Sequence, residues 1–389
     1  MNSPLLNQLF ETCEKIGASD IHLAAGRPPY FRVKGNLAPD ACFAPLQPDV
    51  LADLAADLLS RMTGQPPPPL TGLLDQRGAV DGACTSPGNG RYRFNFFRCQ
   101  APMAPAVRAN TPIPPPALSI ALRRLEDRFR SLEELGLPAR LADFCSLKDG
   151  LVIVSGPTGS GKSTTLATLL DQINRTRTGH IITIEDPVEY IHSSILSLVN
   201  QRQVGVDART FNEALVDSLR EDPDIILVGE IREMETIRTA ITAAETGHLV
   251  FTTLHAGDCV GAVERFVSVF PAGEQESIRR QVSLVLRGIV AQRLLPSEKT
   301  NTASDPRRVP VCEILMNTPA VAHLIATGKS SQIYTSMETG SSLGMQTLEQ
   351  DLVRLLRAGE ISRGTATALA RYPDVFLQRL RTQTNGEAG

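Results

Sequence analysis

A chain of 389 residues, 42% of them hydrophobic, holds enough apolar material for two cores, since single domains usually run to about 100–200 residues. A formal net charge of -3 leaves no basic surplus for gripping a phosphate backbone, which argues against nucleic acid as a partner. No apolar run reaches the about 18–20 residues that span a bilayer, the N-terminus lacks a basic start followed by an apolar core, and the seven cysteines contain no C-x-x-C pair, so the expectation is a cytoplasmic protein with reduced cysteines whose membrane contact is indirect.

Along the chain, Ser3 before Pro4 reads as an N-cap, and Leu5, Leu6, Leu9, Phe10, Cys13 and Ile16 follow at helical spacing, predicting a first helix that ends near Gly17. ASDIHLAAGRPPYFRVKGNL (18–37) and RYRFNFFRC (91–99) alternate apolar with polar residues, as half-buried strands of an α+β domain do. Proline clusters at 66–69 and 101–118 read as loops or stiff extended segments. Beyond SLEELGLPARL (131–141), a short helix-like joint, short strands alternate with amphipathic helices, the pattern of a parallel sheet with crossover helices. The expected limits are an N-terminal domain over 1–130, a linker over 131–148 and an α/β domain over 149–389. Its strands, LVIVSG, HIITIED, DIILVGE and HLVFTTLHA, all run out into polar residues at their C-terminal ends, the edge at which open α/β sheets bind ligands.

GPTGSGKS (156–163) fits G-x-x-x-x-G-K-[ST] between a strand and a helix. Gly156, Gly159 and Gly161 let the backbone through Pro157, Thr158 and Ser160 curl its N–H groups toward phosphate oxygens. The helix N-terminus adds its partial positive charge. Lys162 is expected to reach the β- and γ-phosphates of ATP, Ser163 to place its hydroxyl on Mg²⁺, and Thr164 to touch the α-phosphate. A magnesium-bound triphosphate also needs carboxylates for water and metal. The strand ending in Gly229 and Glu230 has no terminal aspartate, so Glu230 and Glu189 are the expected pair for water and metal, supported by Glu185 and Asp186.

His248 and His255 bracket the fourth strand, about 23 Å apart if extended, too far to share a metal. His255 at the ligand edge can sense the γ-phosphate, whereas His248 stands at the other end. The charge spreading over the transferring phosphoryl group calls for a further cation. Arg91, Arg93 and Arg98 are candidates for reaching a neighbouring subunit's nucleotide, and Arg220, Arg232 and Arg238 are others.

Four blocks, GPTGSGKSTT (156–165), TIEDPVEY (183–190), LREDPDIILVGEIRE (219–233) and TAAETGHLVFTTLHA (242–256), together resemble the Walker A, Asp box, Walker B and His box of the secretion ATPases of the type IV pilus and type II secretion kind. In that family the Walker B motif ends in Gly-Glu. The absence of a tetracysteine motif is similar to the pilus retraction branch, PilT and PilU. The resemblance implies a PAS-like α+β N-terminal domain followed by a RecA-like P-loop core with C-terminal helices, and ATP and Mg²⁺ as cofactors. It also implies a homohexamer in which each N-terminal domain packs on the neighbouring core, working on an inner-membrane platform protein beside other pilus motor ATPases. Glu189, Glu230, His248 and His255 match its catalytic and sensor positions. Where the family carries AIRNLIRE, a segment linked to retraction, this chain reads AVAHLIAT (320–327) and is there more similar to PilU. The functional expectation is a motor that retracts a type IV pilus, with a conjugative or type IVB secretion motor, or an accessory nucleotide-binding partner of another motor, as alternatives.

Overall fold

The computed structural model describes residues 3–66, 69–88, 90–100, 116–125, 128–299 and 307–384. Two compact units divide the chain, Met1–Arg128 with Asp186–Ile191, and Phe129–Glu185 with His192–Gly389.

In the first unit, helix α1 (Pro4–Ile16) starts where the Ser3 hydroxyl accepts the Leu6 N–H and stops where Gly17 turns left-handed at φ 66°. Its buried face is Leu6, Leu9, Phe10 and Cys13. Strands β1 (Asp20–Ala24), β2 (Tyr30–Val33) and β3 (Asn36–Pro39) precede helices α2 (Pro48–Thr63) and α3 (Leu70–Arg77), and β4 (Ala79–Thr85), β5 (Arg91–Gln100) and β6 (Pro116–Arg124) complete an antiparallel sheet of order β3-β2-β1-β6-β5-β4. The alternation expected in RYRFNFFRC holds: Tyr92, Phe94 and Phe96 are fully buried, and Arg91, Arg93 and Asn95 between them are not. The same period of two puts Arg98 on the opposite face of β5 from Arg93. Most of the proline-rich segment 101–118 lies outside the described residues, as do Pro67 and Pro68 of the earlier cluster. Its last three residues, 116–118, already belong to β6.

The second unit carries a seven-stranded sheet, and its described elements run β7 (Gly150–Ser155), α4 (Lys162–Thr176), β8 (His180–Glu185), β9 (Leu198–Gln203), α5 (Phe211–Ser218), β10 (Ile225–Val228), α6 (Met234–Glu245), β11 (Leu249–Leu254), α7 (Cys259–Ser268), α8 (Ala272–Val285), β12 (Leu286–Pro296) and β13 (Arg308–Met316). Helices α9 (Pro319–Ala326), α10 (Ile333–Thr339), α11 (Leu348–Arg357), α12 (Arg363–Leu369) and α13 (Pro373–Thr384) follow. The order is β13-β12-β7-β11-β10-β8-β9, parallel except for β13. Every residue of β7, β10 and β11 is buried, because helices cover both faces of a parallel sheet.

The four strands read from the sequence are neighbours at the centre of this sheet, so their C-terminal ends share one edge. Three more strands join them. β12 follows α8 with no turn residue between Val285 and Leu286, and β9, LVNQRQ, is too polar to stand out as a strand. Residues 131–148, expected as a linker, contribute Leu132, Leu137, Leu141, Phe144 and Cys145 to the core on one sheet face. At the end of the β12–β13 hairpin, Leu295, Val309 and Val311 pack with Leu352, Leu355 and Phe376 of the C-terminal helices.

Candidate active site

The phosphate-binding loop spans 156–163, from the end of β7 into the first turn of α4. Gly156 has φ 146°, and a Cβ there would sit 2.2 Å from the Gln292 carbonyl oxygen. Gly161 has φ 90°, with the Gln292 amide nitrogen 2.8 Å from where its Cβ would be. Only glycine meets both demands, backbone angle and space.

Gln292 is the brace of this loop. Its side chain is 3% exposed, Nε2–H donates to the Ser160 carbonyl at 2.8 Å, and Oε1 accepts from the Thr165 hydroxyl at 2.8 Å. Sequence reasoning missed it; the available signal was a lone amide in the apolar run LRGIVAQRLLP. Gln292→Leu is expected to lower stability by about 1–3 kcal/mol, the usual consequence of leaving buried partners unpaired, and denaturant unfolding measures it. An unchanged midpoint would show that the loop holds itself.

Within the loop the Ser160 hydroxyl is buried without a hydrogen-bond partner among the described atoms, and Lys162 Nζ donates to the carbonyls of Gly156 (3.0 Å) and Pro157 (3.1 Å). Curled amides, a helix N-terminus and an ammonium at one place suit a polyphosphate.

Across the same edge, Glu230 follows β10 and His255 follows β11. The Thr253 hydroxyl donates to the Gly229 carbonyl at 2.6 Å, fixing the turn that aims Glu230. Arg232 grips both Glu230 oxygens, at 2.5 and 2.7 Å, and His255 Nε2 lies 3.1 Å from Glu230 Oε1. Burial pushes the His255 pKa down, and the Lys162 ammonium adds to that, against the pull of Glu230. A neutral imidazole donating through Nε2–H to the carboxylate follows. Lys162, Glu230 and His255 therefore meet at one edge, together with Arg232.

Of the other expected residues, Glu185 keeps to this edge, beside Gly229. Glu185 ends β8, where its Oε1 accepts from Thr183 Oγ1 (2.7 Å) and Gln201 Nε2 (3.2 Å). Asp186 and Glu189 fall in the 186–191 stretch assigned to the first unit, where Arg91 donates to the Val188 carbonyl at 3.2 Å. His248, just before β11, has Nδ1 2.9 Å from the Ala243 carbonyl oxygen, and the strand's six residues separate it from His255 by about 23 Å. Arg93 and Arg98 pair with Asp81 (3.5 Å) and Asp75 (2.5 Å), and Arg238 with Glu274 (2.7 Å). Among the described residues no group of three or more His, Cys, Asp or Glu is placed to hold a metal.

Comparison with known proteins is consistent with this geometry. The profile of the family described as Type II/IV secretion system protein matches residues 104–354. The type IV pilus retraction ATPase PilT of Pseudomonas aeruginosa is 41% identical over 371 residues, covering 95% of this chain and 99% of that protein. The type IV pilus ATPase PilU of the same organism is 37% identical over 354 residues, covering 91% and 85%. A crystal structure of the pilus retraction motor PilT with bound ADP superposes with a TM-score of 0.80 at 38% identity, covering 95% of this chain and 97% of that one. Agreement over nearly the whole length of both chains makes this protein a member of the type II/IV secretion system family and an ATP-hydrolysing enzyme.

Proposed function

We propose that this chain is the hexameric motor whose ATP hydrolysis retracts a type IV pilus. The observation that carries the reading is the end-to-end similarity to a pilus retraction ATPase, together with Lys162, Glu230 and His255 on one sheet edge. Its working parts are an N-terminal domain over 1–130 and an ATPase domain over 149–389, acting in the cytoplasm on an inner-membrane platform protein beside other pilus motors. Among the described residues no helix is long and apolar enough to cross a membrane, which suits contact through a partner.

In the proposed reaction the 156–163 loop holds the triphosphate of ATP, with Lys162 turning from the Gly156 and Pro157 carbonyls to the β- and γ-phosphates and Thr164 near the α-phosphate. Mg²⁺, when bound, would supply neutralisation of the phosphate charge. Ser163 would hold it, with Glu189 and Glu230 receiving its waters. The scarcity of clustered acids fits a cation that takes most of its ligands from phosphate and water. Glu230 orients the attacking water, and for this its carboxylate must exchange the Arg232 fork for water. His255, neutral, holds Glu230 through Nε2–H and reports the γ-phosphate. Glu185 and Asp186 support this edge. Arg93 or Arg98 would supply the further cation from a neighbouring subunit, and their opposite faces on β5 mean that one of them, not both, takes that part at a given nucleotide. His248, distant from its own loop, would act across a subunit boundary.

One observation favours a second reading, a companion motor of the PilU kind. Ala322 and Ala326 stand where the retraction-linked segment has arginines, while Val321, Leu324 and Ile325 keep the apolar side of α9. A count of surface pili by electron microscopy separates the two. Cells carrying Lys162→Ala are expected to accumulate filaments that no longer retract. Unchanged filament numbers would leave a dispensable companion, and absent filaments an assembly role.

A further inference from the structure

The chain leaves β11 through His255 and enters α7 at Cys259, so Ala256, Gly257 and Asp258 alone carry it from the sheet edge to the next helix. Each is held by a different part of the fold. The Ala256 N–H donates to the hydroxyl of Ser155, the last residue of β7, at 3.0 Å, and that hydroxyl donates back to the Ala256 carbonyl at 2.9 Å. The Gly257 carbonyl accepts from Arg293 of β12 at 3.2 Å, in a bond open to solvent. Asp258 uses its two oxygens separately. Oδ1 accepts from the Gly261 N–H at 2.6 Å and caps α7, while Oδ2 lies 2.9 Å from Arg371 Nη2. The next residue, Cys259, donates its N–H to Glu313 Oε1 of β13 at 3.1 Å, and Glu313 Oε2 is 3.4 Å from the same Arg371 Nη2.

Arg371 is thus the cation common to the two carboxyl groups that hold residues 258 and 259. It comes from outside the sheet, from the short turn between α12 and α13, and its own place is well defined. The backbone N–H groups of Arg371 and Tyr372 both donate to Glu349 Oε1 at 3.0 Å, Glu349 is fully buried on α11, and its Oε2 accepts from the Tyr334 hydroxyl at 2.7 Å. The Arg371 and Asp258 side chains are 27% and 28% exposed, shielded enough for a charge-assisted bond to outweigh one at the open surface. Without Arg371 the α7 cap remains, but the far end of the turn loses its tie to the C-terminal helices. Gly257, with no side chain to restrict its backbone, then lets the turn shift, and the imidazole at its start with it. The His255 Nε2 to Glu230 Oε1 distance is 3.1 Å, and lengthening by about 0.5 Å ends a hydrogen bond of that kind.

We propose that Arg371 is a positioning residue for hydrolysis, which through Asp258 and Glu313 holds the turn over residues 255–258 so that His255 stays on Glu230. This rests on the reading that His255 holds Glu230 while ATP is hydrolysed. The C-terminal helices thereby enter the chemical step through the His255 turn, and loosening their hold slows hydrolysis while the 156–163 loop still binds nucleotide.

The test is steady-state ATP hydrolysis by the full-length protein carrying Arg371→Ala, Asp258→Asn or His255→Ala, and each of the first two combined with the third. Calorimetric binding of Mg²⁺-ADP, which lacks the γ-phosphate assigned to His255, runs beside it. Asp258→Asn keeps an acceptor for the Gly261 N–H, and asparagine caps helices as well as aspartate does, but its single amide oxygen cannot serve Arg371 at the same time. Arg371→Ala and Asp258→Asn are each expected to lower kcat by about tenfold or more, the order of effect of a slightly misplaced catalytic group, and to leave ADP affinity unchanged. On a His255→Ala background neither is expected to lower kcat further, because the group they position is gone. Where Arg371→Ala does not fold, Arg371→Lys and Asp258→Asn carry the test. Effects that multiply in the double variants, or a loss of ADP affinity as large as the loss of kcat, would reduce Arg371 to a structural brace and overturn the proposal, as would wild-type kcat in Asp258→Asn. Wild-type kcat in His255→Ala would instead overturn the reading of His255 beneath it.

Discussion

Purified oligomers carrying Lys162→Ala or Glu230→Gln are expected to hydrolyse ATP at least about 100-fold more slowly than wild type, and to do so for different reasons. Lys162 Nζ rests on the loop carbonyls of Gly156 and Pro157, and in the proposed reaction it turns from them to the phosphates, so its loss is expected to weaken nucleotide binding as well as turnover. Glu230→Gln keeps the side chain's shape and a hydrogen-bond acceptor for His255 while removing the carboxylate proposed to align water, so binding is expected to survive and kcat to fall. Neither change is expected to unfold the protein. The Arg232 partner of Glu230 is 72% exposed, and ion pairs so open to solvent contribute little to stability. Single-turnover hydrolysis with a parallel binding titration separates the two effects. Wild-type rates in Glu230→Gln would move the water-orienting role to another acid, Glu189 first, and wild-type binding in Lys162→Ala would detach the motif from the phosphates.

Much of this site could be read from local rules. The glycines of the phosphate loop, the strand ending in Gly229–Glu230 and the period of two in β5 are each decided by neighbours in sequence, through backbone angle, burial and pleat. The braces are decided by partners far along the chain. Gln292 is 132 residues from the Ser160 carbonyl it holds, and Arg371 reaches Asp258 across more than a hundred residues, so neither is visible in any window of the sequence. Arg232 shows a third case. It stood among several arginines offered for a neighbour's nucleotide, and the fold gives it to Glu230 of its own chain, two residues away, because the turn after β10 brings the side chains at i and i+2 to the same side. β12 shows a fourth, since a strand that starts where a helix stops, without a glycine or proline between, leaves no punctuation to read.

Glu313 should make the stability of the second unit depend on pH. Its carboxyl on β13 is 2% exposed, and burial pushes its pKa up to about 7, against the pull of Arg371 and the Cys259 N–H, with the neighbouring acids Asp258 and Glu349 pushing the same way as burial. In the unfolded chain the group titrates near its ordinary 4.5. Below that pH both states hold the proton and the contribution is fully present. Between the two values the unfolded state releases the proton while the folded state keeps it, so stability falls as pH rises, by about 3 kcal/mol in all at about 1.4 kcal/mol per unit. Above about pH 7 the loss is complete and the slope from this group disappears. Glu313→Gln cannot ionise yet still offers an acceptor to the Cys259 N–H, so it is expected to match wild type near pH 4 and to exceed it near pH 8 in denaturant unfolding. Asp351, also raised by burial, contributes equally to both proteins and cancels in the comparison. Parallel pH profiles for wild type and variant would mean that Arg371 holds Glu313 ionised throughout, as a permanent salt bridge, and that the buried acid contributes no pH dependence of its own.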